Sequence, residues 1–67
     1  MQKITLEAAR VNSGLTQGEM AKKIGVSRAT VNQWEKGKTM MKPVYLYMFC
    51  GITGFSEDDI ILPEKST

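Results

Sequence analysis

Histidine is absent from the sequence, and Cys50 is its single cysteine. Zinc sites are built mainly from cysteine and histidine, and a disulfide needs two cysteines, so we expect neither a metal site nor an internal disulfide. A lone thiol is typical of proteins that are kept in a reducing compartment. The composition therefore predicts a cytoplasmic protein.

Long apolar segments are also missing. The longest, residues 44–50, is far shorter than the roughly 20 residues that cross a bilayer, and the N-terminus has no signal-peptide core. With 67 residues, the chain predicts a single domain over residues 1–67. Such a domain offers a binding surface but little room for an enclosed ligand pocket of about 300–1,000 Å³. We expect no membrane contact, no enzymatic activity, no cofactor and no small-molecule ligand.

The net charge of +2 is unevenly distributed along the chain. Residues 1–42 carry eight basic and three acidic side chains, a net charge of +5, whereas residues 43–67 carry one basic and four acidic ones, a net charge of −3. A basic surface attracts a polyanion, and an acidic surface repels it. This polarity predicts that the N-terminal part of the domain faces nucleic acid.

Two short amphipathic patterns, residues 17–24 and 28–35, are separated by a turn at Gly25. Thr16 and Glu19 form a capping box at the start of the first pattern, and Ser27 caps the second. Gly25 stands where the first helix needs a left-handed residue to end. The apolar residues are spaced to share one core, which predicts a helix-turn-helix over about residues 16–36. These core positions are Met20, Ala21, Ile24, Val26, Val31 and Trp34.

The polar side chains of the second helix face outward once its apolar positions face inward. Arg28 has no acidic residue three or four positions further on, so a helix-stabilising ion pair does not explain it. Its guanidinium suits the O6 and N7 atoms of guanine, and Gln33 or Asn32 suits the N6 and N7 atoms of adenine. Ala29 or the methyl group of Thr30 suits a thymine methyl group. The predicted base contacts are therefore Arg28, Ala29, Asn32 and Gln33.

Phosphate contacts are predicted at the start of the first helix of the pair and after the second helix. A helix N-terminus offers unpaired N–H groups to an anion, and lysines contact phosphates without distinguishing base pairs. The predicted phosphate-contacting residues are Thr16, Gln17, Gly18, Lys36, Lys38 and Lys42.

The chain strongly resembles the Xre-like family of helix-turn-helix domains, which includes phage Cro proteins and the DNA-binding domains of lambda-like repressors. The resemblance covers roughly residues 4–62 and is far more specific than a single motif. It is carried by Gly14-Leu15-Thr16-Gln17, Met20-Ala21, Ile24-Gly25-Val26-Ser27, Val31, Gln33-Trp34-Glu35 and Gly37.

The resemblance implies roles for individual residues. In the family, the position of Gln17 caps the first helix of the pair against a phosphate, and the positions of Arg28, Ala29, Asn32 and Gln33 point at base edges. The family also pairs an arginine of helix one with a glutamate at the end of helix three. These positions correspond to Arg10 and Glu35, which the resemblance assigns to a structural ion pair.

The remaining pattern predicts an all-α, compact fold of five helices, and the resemblance implies that this fold is of the lambda-repressor type. Helix one is expected at residues 6–12 behind Thr5, and helix four from Pro43 to about Ile52. Helix five is expected to open at residues 55–56, with Phe55 packed on Ile60. Residues 44–50 are rich in β-preferring side chains, so the alternative is a β-hairpin in place of the last two helices, as in some Cro proteins.

The predicted function is that of a sequence-specific regulator of transcription that binds double-stranded DNA, a small repressor of the phage Cro or Xre kind in a bacterial or phage-infected cell. One alternative is an antitoxin that represses its own operon. Another is a protein-interaction module such as an antirepressor, which an acidic recognition face would favour, whereas this face is basic.

A homodimer on a two-fold symmetric operator is also predicted. One recognition helix carries three or four base-contacting side chains and specifies only a few base pairs. The acidic C-terminal part offers apolar residues beyond the needs of a minimal core, namely Phe55, Ile61 and Leu62, and they form the predicted dimer interface.

Overall fold

A computed structural model describes residues 3–63 of the chain. These residues form four α-helices, one 3₁₀ helix and one pair of short strands. In chain order the elements are β1 (Ile4–Thr5), α1 (Leu6–Asn12), α2 (Gln17–Ile24), α3 (Arg28–Lys36), α4 (Pro43–Thr53), a 3₁₀ helix (Glu57–Asp59) and β2 (Ile60–Ile61).

The first three helices begin and end at residues with clear capping chemistry. Thr5, Thr16 and Ser27 each accept a backbone N–H of the first turn through their side-chain oxygen, and at Thr16 the full capping box with Glu19 is present. Gly25 ends α2 with φ at 92°, a left-handed conformation that strains any residue with a side chain. The predicted bounds of α1 and α2 are confirmed, and α3 runs one residue further than predicted.

The core lies where α1, α2, α3 and α4 meet. Phe49 of α4 is buried against it, and the ring of Trp34 lies 5.3 Å from the ring of Tyr45, centroid to centroid. This position confirms the core role predicted for Trp34. The buried apolar residues are Leu6, Ala9, Met20, Ala21, Ile24, Val31, Trp34, Phe49 and Ile60.

Residues 43–53 form a helix, so the hairpin alternative is wrong. Pro43 occupies the first helical position, where its missing N–H costs no hydrogen bond. The helix is apolar on every side: it buries Phe49 but leaves Tyr47 73% exposed. The strand preference of these side chains is therefore outweighed by helical packing against the core.

The predicted fifth helix is also wrong, because the chain forms only one 3₁₀ turn before it extends. Ile60 and Ile61 pair in parallel with Ile4 and Thr5, which gives their backbones hydrogen-bond partners outside a helix. Pro63 follows closely, and a proline disfavours helical conformation in the residue before it. The expected helix had room for only two turns, too few to be stable without strong packing.

Candidate nucleic-acid interface

The helix pair α2 and α3 sets the position of the candidate interface. Val31 and Trp34 are buried, so the opposite side of α3 faces solvent. Arg28, Ala29 and Gln33 are exposed on that side, and Asn32 is half-buried. The start of α3 therefore presents an exposed polar face to solvent.

Three of the four predicted base-contacting residues lie around one concavity. Arg28, Ala29 and Asn32 line an open depression of about 320 Å³ together with Gln17 of α2. Gln33 lies outside this group, further along the same helix. The structure thus brings Gln17 next to residues from which it is separated by more than ten positions in the sequence.

The start of α2 forms a second open depression beside the first. Thr16, Gln17 and Gly18 line it with Arg28 and Arg10, and its volume is about 430 Å³. The N–H of Thr16 donates to Glu19 Oε1 at 2.9 Å, and the N–H of Glu19 donates to the Thr16 hydroxyl at 3.1 Å. Since helical bonds cannot reach the first-turn residues between them, the backbone N–H groups of Gln17 and Gly18 are placed to meet an anion.

The carboxylate of Glu19 belongs to the cap of α2. Hydrogen bonds from Thr16 lower the pKa of Glu19, because they stabilise its charged form. Glu19 therefore stays ionised and keeps the first turn of α2 closed.

The lysines proposed for phosphate contact are all exposed. Lys36 is the last residue of α3, Lys38 follows the left-handed Gly37, and Lys42 precedes α4. They lie at the end of α3 and in the loop that follows it, whereas the Arg28 depression is at the start of α3.

An almost fully buried ion pair fixes α3 relative to α1. Arg10 Nε donates to Glu35 Oε2 at 2.6 Å, and the two side chains are 9% and 4% exposed. A second guanidinium nitrogen lies 3.3 Å from Glu35 Oε1, and the third donates to the carbonyl of Leu15 at 2.8 Å. Arg10 thereby joins α1, the loop before α2 and the recognition helix α3.

Gln17 makes contacts that the sequence patterns did not predict. Its Nε2 donates to Glu35 Oε1 at 2.9 Å and to Asn32 Oδ1 at 3.2 Å. Both hydrogens of the Gln17 side-chain amide are therefore engaged within the protein. A phosphate offers only acceptors, and the donor that remains at this position is the backbone N–H. No local sequence signal could have indicated these bonds, because they depend on how α2 crosses α3.

The residues proposed for a dimer interface differ in exposure. Phe55 is half-buried and packs against the core, whereas Ile61 and Leu62 are 45% and 39% exposed. Met40, in the loop before α4, is 67% exposed and lines a narrow cleft together with Leu62. Met40 and Leu62 thus share one apolar cleft, and Ile61 is exposed next to Leu62 in the chain.

The structure of residues 3–63 also bears on metal binding and on the reactivity of Cys50. No group of three histidine, cysteine or acidic side chains is placed there to hold a metal ion. Burial raises the pKa of the Cys50 thiol, as do the nearby charges of Glu57 and Asp59, so the thiol stays protonated and is a poor nucleophile. Over the same residues, no helix has the length and the apolar composition to cross a bilayer.

A family model described as "Helix-turn-helix" matches residues 6–60, from the first residue of α1 to the first residue of β2. No curated protein matches the chain significantly.

Proposed function

Since the chain belongs to the helix-turn-helix family of the Xre, Cro and lambda-repressor-like type, we propose that this DNA-binding regulator recognises one operator sequence and represses transcription there. Repression requires only that the bound domain occupies the operator and keeps the transcription machinery away from it. The domain needs no further activity for this role.

The observation that carries the proposal is the exposed start of α3. Arg28, Ala29 and Asn32 surround one depression, and Gln33 extends the same helix. Arg28 suits guanine, Gln33 suits adenine and Ala29 suits a thymine methyl group. A helix that fills the major groove with such groups can distinguish base pairs.

Phosphate contacts would hold this helix in register. The backbone N–H groups of Gln17 and Gly18 offer donors at the positive end of α2. Thr16 adds its hydroxyl there, and the three lysines at and after the end of α3 add positive charge. Contacts of this kind supply affinity and position but do not distinguish sequences.

Selection of binding sites from random duplex DNA at a stated salt concentration tests the proposed specificity. We expect one sequence to be enriched, in two inverted copies. Recovery of unenriched DNA from a protein that still binds duplex would contradict sequence recognition.

Removing a lysine from the loop after α3 is expected to weaken binding to all DNA sequences alike. For Lys38→Ala or Lys42→Ala, the negative slope of log affinity against log salt should become shallower by about 0.9 for each lost phosphate contact. Lys3→Ala is the matched control, because it removes the same charge from a side chain that donates to the carbonyl of Asp58, at the acidic end of the domain. An unchanged slope in both loop variants would place these lysines away from the DNA.

The proposed working unit is a homodimer on the operator. Recognition helices of such dimers lie about 34 Å apart, one turn of DNA. The domain measures 28 × 27 × 20 Å, so two copies in successive major grooves of one DNA face come within contact distance. The exposed apolar residues Met40, Ile61 and Leu62 are proposed to meet there. Because this surface is small, we expect weak association in free solution and pairing on the DNA.

Leu62→Gln is expected to reduce binding to a full operator and to leave binding to an isolated half-site unchanged. The matched control is Val11→Gln, since Val11 is also an exposed apolar residue but lies on α1. Titration of full-site and half-site duplexes, with sedimentation of the free protein, measures the difference. Full affinity of the unaltered protein for an isolated half-site would refute the dimer.

A further inference from the structure

We infer that Gln17 orients the side-chain amide of Asn32, so that Asn32 presents its N–H groups to the DNA and selects a base with hydrogen-bond acceptors. The inference rests on the proposed function, because it concerns one base contact of the recognition helix. It assigns Gln17 the role of a positioning residue for specificity.

The first step is the orientation of the Gln17 amide. One of the two terminal atoms of this amide lies 2.9 Å from Glu35 Oε1. The Glu35 carboxylate is paired with the Arg10 guanidinium and offers only acceptors. The Gln17 atom that faces it must therefore be the donor, Nε2, and its oxygen must point away.

The second step follows from the same atom. Gln17 Nε2 also lies 3.2 Å from the side-chain amide of Asn32. Since Nε2 has hydrogens to donate and accepts nothing, the Asn32 atom that it meets must be the oxygen, Oδ1. The two hydrogens of Nε2 are then both engaged, one with Glu35 and one with Asn32. The Glu35 carboxylate of the buried ion pair thus determines, through Gln17, the orientation of the half-buried Asn32 amide.

The consequence concerns the base that Asn32 can contact. Gln17 holds Oδ1 of Asn32. The group that Asn32 directs into the depression beside Arg28 is therefore its amide NH₂, Nδ2. Guanine presents two acceptors in the major groove, thymine presents O4 and adenine presents N7, whereas the edge of cytosine presents a donor. Asn32 therefore favours guanine most and disfavours cytosine. A two-bond contact with adenine, which needs the amide oxygen as well, is left to Gln33.

Two variants with binding-site selection test the inference. Asn32→Asp keeps an oxygen that can accept the bond from Gln17, but it replaces the amide NH₂ by a second acceptor oxygen. We expect its base preference to change to cytosine at one base pair, with affinity for the original site reduced about fivefold or more. Gln17→Met keeps the length of the side chain and releases Asn32. It is expected to admit all four bases at that same pair.

Gln33→Met is the matched control, because Gln33 lies on the same helix and should alter a different base pair. Thermal unfolding of each variant establishes that it is folded at the binding temperature. A Gln17→Met or Asn32→Asp protein that selects the same base as the unaltered protein would overturn the inference.

An NMR measurement on the free protein separates this inference from the proposed function. The side-chain NH₂ of Gln17 is expected to exchange with solvent more slowly than that of the exposed Gln33. Equal exchange of the two groups would overturn the orientation of Asn32 even if the protein selects an operator. Slow exchange with no operator selected would instead reject the proposed function, and with it the base preference of Asn32.

Discussion

Replacing Glu35 by alanine is expected to lower the free energy of unfolding by about 3–5 kcal/mol, because it leaves the Arg10 charge buried without a partner. Both side chains are over nine-tenths buried, and Gln17 also loses an acceptor. A domain of this size has a total stability of only about 3–10 kcal/mol. The variant should therefore be largely or wholly unfolded at moderate temperature, as measured by urea denaturation.

Two further proteins make this result interpretable. Glu7→Ala removes an exposed carboxylate from α1 and should change stability by less than about 1 kcal/mol. Arg10→Met combined with Glu35→Leu replaces both charges by apolar groups and should recover much of the loss. A loss of less than about 1 kcal/mol for Glu35→Ala would show that the pair contributes no more than an exposed one.

Arg28→Ala is expected to reduce affinity for the selected operator by about 1–3 kcal/mol, or roughly 5- to 150-fold, because it removes a two-bond contact with guanine. The preference at one base pair should disappear, while affinity for random DNA falls much less. Competition between the selected and random duplexes measures both effects.

Arg28→Lys separates charge from geometry in this experiment. Lysine keeps the positive charge but cannot reproduce the planar pair of donors of the guanidinium, so specificity should still fall while affinity for random DNA is retained. If Arg28→Ala loses as much affinity for random DNA as for the selected site, Arg28 contacts a phosphate and not a base.

The helix pair was predictable because short-range chemistry determines it. Thr16 and Ser27 cap their helices as their side chains suggest, and Gly25 takes the left-handed conformation that ends α2. The apolar spacing of residues 17–36 also identified which side of α3 is buried. Exposure of the candidate base-contacting residues follows directly from that assignment.

The C-terminal segment could not be predicted from its own residues. Ser56, where helix five was expected to open, donates its N–H and its hydroxyl to Asp59, but a residue of this kind can open one 3₁₀ turn as well as a longer helix. What decides the outcome is the pairing of Ile60 with Ile4 at the other end of the chain. Local patterns do not contain such long-range contacts.

The network at Gln17 was missed for the same physical reason. Its partners Asn32 and Glu35 are 15 and 18 residues away, and they become neighbours only because α2 crosses α3 at this point. The sequence indicated which side chains face outward, but only the packed structure indicates how their donors and acceptors are arranged.

The ratio of affinities for the selected operator and for random duplex, measured by competition at one stated salt concentration, tests the central claim most directly. Specific regulators of this kind bind their operators about a thousandfold or more tighter than other DNA. We predict a ratio in that range for the unaltered chain. Equal affinity for the two duplexes would contradict the claim that this helix-turn-helix domain recognises a DNA sequence.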